Sequence, residues 1–274
     1  MQTRIDKKQA RYSFDSLNEL ARYIADTPRT WRGASSSTSR SGGQDWDLGA
    51  SFDEALSLAK LGWLEGAQRS QRALKALSNR TPSPVDRTDF YGHRPHVARY
   101  CAGAPDSMIR RASPQAGGDN VLTVYIPVNA LAGVSAQHMS NFGLAVAQYI
   151  RQLELADGKR VELHGAVCSV VSGWRVCHTW KIKDAGQPLD LAVLAFAVGH
   201  PAMFRRLGFG LRERCAAPRD YGYGRTVNAE LSDLINPPAG AIILNGMANA
   251  DQYARTLEAG VEYVERKINE QRKG

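Results

Sequence analysis

Apolar positions along the chain fall into two regimes. Over the first 118 residues they are sparse and helix-spaced, whereas from Asn120 onward they gather into β-rich runs and long amphipathic stretches. Ser16 followed by Glu19 is a capping-box pattern ahead of Leu17, Leu20, Ala21 and Ile24, and it predicts a helix that stops before Pro28. A second box, Ser51 and Glu54, opens a helix with Phe52, Ala55, Leu56, Ala59 and Trp63 on one stripe. Leu74 and Leu77 continue that stripe if Gly62 and Gly66 do not break it. Between the two helices RTWRGASSSTSRSGG (29–43) has no periodicity and reads as a loose loop, anchored by Trp31 and Trp46. Pro82, Pro84, Pro95, Pro105 and Pro114 interrupt residues 80–118, which predicts an irregular arm.

The second regime is denser. VLTVYIPV (121–128) predicts a buried strand, followed by a helix from about Ser135 to Leu155 that carries Met139, Phe142, Leu144, Val146, Ile150 and Leu153. RVELHGAVCSVVSGWRVCHTWKIKD is two β-patterned runs divided by Ser172-Gly173, a two-residue hairpin signal. That turn places Val171 opposite Trp174 and Cys168 opposite Cys177. One face then holds Leu163, Val167, Val171, Trp174, Val176, Trp180 and Ile182, and the other Glu162, His164, Cys168, Arg175, Cys177, Thr179, Lys181 and Lys183. One apolar and one polar face suit a hairpin at a sheet edge. A helix over 189–206 interrupted near Pro201, Gly-rich loops, a strand over 241–247 and a helix over 251–271 complete the order. The alternation predicts a doubly wound α/β core over residues 119–274, preceded by a helical, Pro-interrupted basic region over residues 1–118.

Composition and charge sharpen this picture. With 274 residues, 43% hydrophobic and 23% charged, the chain is globular rather than disordered or disulfide-stapled. No apolar run approaches the roughly 18–20 residues of a membrane span, and the first 30 residues lack a signal-like stretch, so a soluble intracellular protein is expected. The net charge is +8, with 18 basic against 12 acidic groups in residues 1–118 and 17 against 15 thereafter. Arg69, Arg72, Lys75, Arg80, Arg87, Arg94, Arg99, Arg110 and Arg111 are opposed only by Asp86, Asp89 and Asp106, a tract attractive to a polyanion. The alternative is an ordinary solvated surface. Cys101, Cys168, Cys177 and Cys215 include no C-x-x-C pair, so reduced thiols are expected, with no zinc site, other metal or cofactor.

A second basic cluster lies further on. Arg205, Arg206, Arg212, Arg214, Arg219 and Arg225 are opposed by Glu213 and Asp220, and Tyr221 and Tyr223 alternate with Gly222 and Gly224. Aromatic rings beside cations are what unstacked bases require. The alternative is a tight loop with Tyr on the core and Arg in surface pairs. His93 and His96 read as loop histidines, because Pro95 prevents a helical ligand pair. His164 and Cys177 share a hairpin face, yet a Cys/His nucleophile needs a third orienting group that the sequence does not place. No G-x-x-x-x-G-K-[ST] occurs. No catalytic constellation emerges, and a non-enzymatic role is expected.

With its hairpin in second place, the element order looks like the von Willebrand factor A arrangement. Proteins of that fold carry a D-x-S-x-S metal site after the first strand. The corresponding stretch here runs from Asn129 to Ser135 and lacks the aspartate and the serine spacing, so hard-cation binding is not expected. TWRGASSS, SFDEALSLAKLGWLEGA, DFYGHRPHVARYCAGAPDSM and VLTVYIPVNALAGVSAQHMSNFGLAVAQYIRQLE together resemble a family of uncharacterised proteins encoded by tailed bacteriophages. The resemblance implies the cytoplasm of an infected bacterium, where DNA and RNA are the abundant polyanions. The expected function is therefore a phage-encoded, nucleic-acid-associated factor that binds single-stranded DNA or RNA and recruits a polymerase. Its contacts would be Arg94, Arg99, Arg110, Arg111, Arg205, Arg206, Arg212, Arg214, Arg219, Tyr221, Tyr223 and Arg225. The alternatives are a module that docks on a phage or host protein, such as an ATPase or polymerase, and a virion-associated protein. No membrane partner is expected.

Overall fold

A computed structural model of the chain describes residues 1–31, 38, 43–78, 86–92, 94–111, 121–155, 159–218, 231–244 and 255–273. The central element is a six-stranded mixed sheet. It comprises β1 (Gln2–Asp6), β2 (Gln9–Phe14), β6 (Val121–Pro127), β7 (Arg160–Val171), β8 (Trp174–Lys183) and β9 (Ile242–Ile243), in the order β1-β2-β8-β7-β6-β9. The pairings β2·β8, β6·β7 and β6·β9 are parallel, and β1·β2 and β7·β8 are antiparallel. The protein is thus α/β, with a mostly parallel sheet.

The β7–β8 hairpin has the register read from its turn. Ser172 and Gly173 adopt φ of +48° and +78°, the mirror-image turn that matches strand twist, and Val171 pairs with Trp174 and Cys168 with Cys177. A bulge between Leu163 and His164 shifts the far end, so Leu163 pairs with Lys183. Lys183 thereby leaves the polar face assigned to it. It is buried, donating to the Val161 carbonyl at 2.9 Å and pairing with Glu154 at 2.6 Å.

The hairpin does not lie at the edge. Its outer strand carries β2 in parallel, because Ala10, Tyr12 and Phe14 alternate onto the buried face and extend the apolar surface of Val176 and Trp180. Residues 2–14 of the expected helical region therefore form strands of the same sheet as residues 121–183. Trp180 is fully buried, and Gly165 leaves room for it: a Cβ there would lie 2.2 Å from the indole.

Helices α1 (Leu17–Asp26), α2 (Gln44–Asp47), α3 (Phe52–Leu61), α4 (Leu64–Ser78) and α5 (Val97–Cys101) precede β6. Then come α6 (Ala136–Leu155), α7 (Leu191–Leu194), α8 (Phe209–Arg212), α9 (Leu231–Ile235) and α10 (Leu257–Lys273). Ser16 caps α1 by accepting the Glu19 N–H at 3.1 Å, and Ser51 caps α3 by accepting that of Glu54 at 3.1 Å. Gly62 ends α3 at φ +79°, whereas Gly66 stays inside α4 beneath the Trp63 ring. Residues of α1, α3, α6 and α10 form one apolar cluster with the Trp180 face of the sheet. The opposite face meets α9 through Leu234 and Ile235, which join Ala166, Cys168, Cys177 and Ile243. The doubly wound arrangement thus reduces, among the described residues, to one helical layer plus the five-residue α9.

Two further differences concern the expected basic segments. Residues 86–111 are not irregular: β3 (Asp86–Asp89), β5 (Met108–Arg111) and β4 (Arg94–Pro95) form a three-stranded antiparallel sheet in that order. The helical run begun by α7 passes through π-helical turns at Ala195–Gly199 and Met203–Gly208, with a break at His200, and reaches Arg212. The stretch expected to be a Gly-rich loop after Arg206 is therefore helical as far as Arg212, and buried.

Candidate functional site

The small sheet presents an unusual surface. Phe90 and Tyr91, on the connection between β3 and β4, are 64% and 76% exposed, and Tyr100 of α5 is 69% exposed. Gly92 turns the chain back against β5, where a Cβ would lie 2.2 Å from the Ile109 carbonyl oxygen. Phe90 and Tyr91 are adjacent in the chain, and contiguous exposed apolar surface marks interaction sites more often than scattered single side chains do.

Charge accompanies the rings. Residues 86–111 contain five arginines and three aspartates. Arg94, exposed in β4, pairs in register with Ile109. The Arg99 guanidinium meets Asp106 at 2.5 Å, and that hydrogen bond holds the Asp106 carboxyl below its usual range. Arg110 and Arg111 belong to the backbone of β5, opposite Arg87 and Asp86; their side chains lie outside the described residues. His96 caps α5: its Nδ1 accepts the Arg99 N–H at 3.3 Å. His93 lies outside the described residues.

The second cluster is placed differently. Arg205, Arg206 and Arg212 are only 2%, 6% and 3% exposed. Arg205 donates to the Trp46 and Val134 carbonyls, each at 2.5 Å, and stacks over the Trp46 ring at 3.9 Å. Burial lowers its pKa to about 10, with the Asp47 charge opposing the shift. Arg206 donates to the Ala50 carbonyl at 3.1 Å and forms an ion pair with the fully buried Asp47 at 2.8 Å. Arg212 donates to Cys215 Sγ at 2.8 Å and to the Pro218 carbonyl at 3.0 Å. Arg214, half-buried, donates to the Thr27 and Gly210 carbonyls at 2.8 and 2.9 Å. These four cross-link loops to the buried helix, and their hydrogen bonds are spent inside the fold. They are removed from the phosphate-contacting set for that reason. Arg219, Tyr221, Tyr223 and Arg225 lie outside the described residues.

The polar face of the main sheet holds a third group. His164 Nε2 meets Glu162 at 2.8 Å, the Tyr125 ring stacks on the imidazole at 4.7 Å, and Lys181 bridges Glu162 and Asp184 at 3.7 and 2.7 Å. Burial lowers the His164 pKa, and Glu162 pulls it back. His164 pairs in register with Lys181, four residues along β7 from Cys168, which faces Cys177. The imidazole is thus engaged by Glu162 and Tyr125, and Cys177 by Cys168; the two are not set up as a nucleophile and its base.

The stretch that begins at Asn129 has a structural role. Asn129 is buried, donating to the Cys168 carbonyl and accepting the Cys168 N–H, both at 2.9 Å, which pins β6 to β7. Among the described residues no group of three His, Cys, Asp or Glu side chains is arranged to hold a metal ion. A hollow beside Trp63, Ser70 and Gly143 encloses about 10 Å³, room for about one water and far below the roughly 300–1,000 Å³ typical of small-molecule pockets. No described helix is long and apolar enough to cross a membrane.

The exposed aromatics were missed by sequence reading, because Phe90, Tyr91 and Tyr100 have no periodicity that distinguishes them from core residues. Their signal was adjacency: DFYGHRPHVARY places three rings among arginines within 12 residues. Comparison with curated proteins and with solved structures yields no match. Residues 2–271 match the model of the family described as Domain of unknown function (DUF7192), and the chain belongs to that family.

Proposed function

We propose that the chain is a non-enzymatic, phage-encoded nucleic-acid-associated factor that acts in the infected bacterial cytoplasm and binds single strands through the 86–111 sheet. The observation that carries this reading is the exposure of Phe90, Tyr91 and Tyr100 beside Arg94. Exposed rings suit unstacked bases, and stacking on one aromatic contributes roughly 1–3 kcal/mol. Arginines in the same sheet supply sequence-independent attraction to phosphate. Recruitment of a polymerase to the bound strand is the role that follows. The strand, helix, antiparallel hairpin and second parallel strand around β6 support relating the core to the von Willebrand factor A arrangement, with the β1–β2 hairpin added to it.

Fluorescence polarisation with labelled single-stranded and duplex oligonucleotides at low salt tests the reading. Binding should favour single strands and weaken with salt. Tyr91→Ala and Tyr100→Ala should each weaken it by about 5- to 150-fold, the range that 1–3 kcal/mol implies. Absence of binding, or a Phe90/Tyr91/Tyr100 triple alanine variant that binds as well as wild type, refutes it. In that case the same rings favour docking on a protein, and affinity capture that survives nuclease treatment would identify that partner.

A further inference from the structure

Cys168 and Cys177 sit directly opposite each other in the β7–β8 hairpin, with sulfur atoms 3.0 Å apart and both thiols free. Hydrogen-bonded and non-hydrogen-bonded pairs alternate along an antiparallel ladder. Counting from the turn-closing pair Val171–Trp174, the two cysteines occupy a non-hydrogen-bonded position, where Cα atoms approach to about 4.5 Å. Disulfides span Cα separations of about 4.4–6.8 Å, with sulfurs near 2.05 Å apart. Closing the bond therefore needs an approach of about 1 Å between the sulfurs and no change of register.

We propose that Cys168 and Cys177 form a reversible dithiol–disulfide site, closed by a low-molecular-weight disulfide such as oxidised glutathione. One cysteine loses its proton to solvent, and its thiolate attacks a glutathione sulfur. A mixed disulfide forms and one glutathione thiolate leaves. The second cysteine, deprotonated in turn, attacks the protein sulfur of the mixed disulfide and expels the second glutathione. Two protein thiols are oxidised by two electrons, and one glutathione disulfide is reduced to two thiols.

Access is controlled by α9. Leu234 and Ile235 cover the pair, and both cysteines are buried. The hydrogen bond to Cys177, together with burial, raises the Cys168 thiol pKa and keeps it protonated while α9 is seated. Among the described residues, α9 is fastened to the sheet through arginines. Arg11 donates to the Leu234 and Asp233 carbonyls at 2.9 and 2.8 Å, and Arg175 pairs with Asp233 at 3.2 Å. A five-residue helix has little stability of its own, so its local opening is the step that admits the oxidant.

The test uses the full chain, incubated under native conditions in mixtures of oxidised and reduced glutathione, alkylated with N-ethylmaleimide and digested with trypsin. Cleavage after Arg175 places the two cysteines on separate peptides, so the bond reads as a linked pair by mass. The linked pair should rise with the oxidised fraction and vanish on adding dithiothreitol. Arg11→Ala, and the milder Arg11→Lys, should each speed its formation at least threefold. Absence of the linked pair at the highest oxidised ratio, or loss of alkylation accounted for by Cys101 alone, overturns the site. Unchanged rates in both Arg11 variants overturn the control by α9.

Discussion

His178 gives the most quantitative prediction. Its imidazole lies 4.6 Å from the Tyr12 ring in a near-parallel stack, is 1% exposed, and has no described hydrogen-bond partner at Nε2. Burial, reinforced by the nearby Arg212 charge, lowers its pKa from 6.5 to about 3. Above pH 6.5 the ring is neutral in both folded and unfolded chains and contributes no pH dependence. Below that, the unfolded chain binds a proton that the folded one refuses, so stability falls as the pH falls, until the folded ring titrates near pH 3. At about 1.4 kcal/mol per unit, the loss reaches about 2 kcal/mol at pH 5. His200, lowered to about 4 by burial, adds a loss of the same sign. His178→Phe keeps the ring stack and removes the titration. Overpacking shifts its stability at pH 7 by roughly 1–3 kcal/mol, but its loss between pH 7 and pH 5 should be smaller than wild type's by about 2 kcal/mol. Urea unfolding followed by far-ultraviolet circular dichroism at pH 7, 6 and 5 measures both slopes. Parallel pH dependence in variant and wild type would refute the reasoning.

Three further outcomes are expected from the same assay. Arg206→Met strands Asp47 as a buried charge and should cost roughly 3–5 kcal/mol, and adding Asp47→Leu should recover much of the loss; a double variant no better than the single one would contradict this. Gly143→Ala places a Cβ 2.4 Å from the Gly199 Cα, a backbone clash that no rotamer relieves, and should destabilise by about 1–3 kcal/mol or more. Asn129→Asp replaces the donor to the Cys168 carbonyl with an acceptor and should cost about 1–3 kcal/mol; recovery on adding magnesium would instead favour a cation role.

Local features were legible in the sequence. The capping serines at 16 and 51 and the apolar spacing behind them need only a few neighbouring residues to be recognised. The hairpin register followed from Ser172-Gly173, which adopts the backbone that the turn demands. Legibility ended where partners are distant or carry no side-chain signature. The strand β2 pairs with residues far along the chain, and its short Ala10, Tyr12, Phe14 alternation gave no hint of what lay beside it. The buried arginines donate to carbonyls of Trp46, Ala50 and Pro218, which arginine density cannot distinguish from phosphate. The surrounding run LAVLAFAVGHPAMFRRLGFGL, apolar on every side, was the available signal of burial. In the small sheet, Pro95 misled: it occupies edge strand β4, where a missing N–H is tolerated.

The parallel seating of β2 against β8 also bears on the order of assembly during synthesis. Ser13 and Thr179, whose hydroxyls meet at 3.1 Å, are 166 residues apart. At about 5–20 residues per second, β1 and β2 wait roughly 10–30 s before their neighbour emerges from the ribosome. Throughout that interval the β1–β2 hairpin has no sheet to join, and it is too small to be stable alone. Arg4, Lys7, Lys8 and Arg11, interspersed with its four apolar residues Ile5, Ala10, Tyr12 and Phe14, give the waiting segment the charge that discourages pairing with other nascent chains.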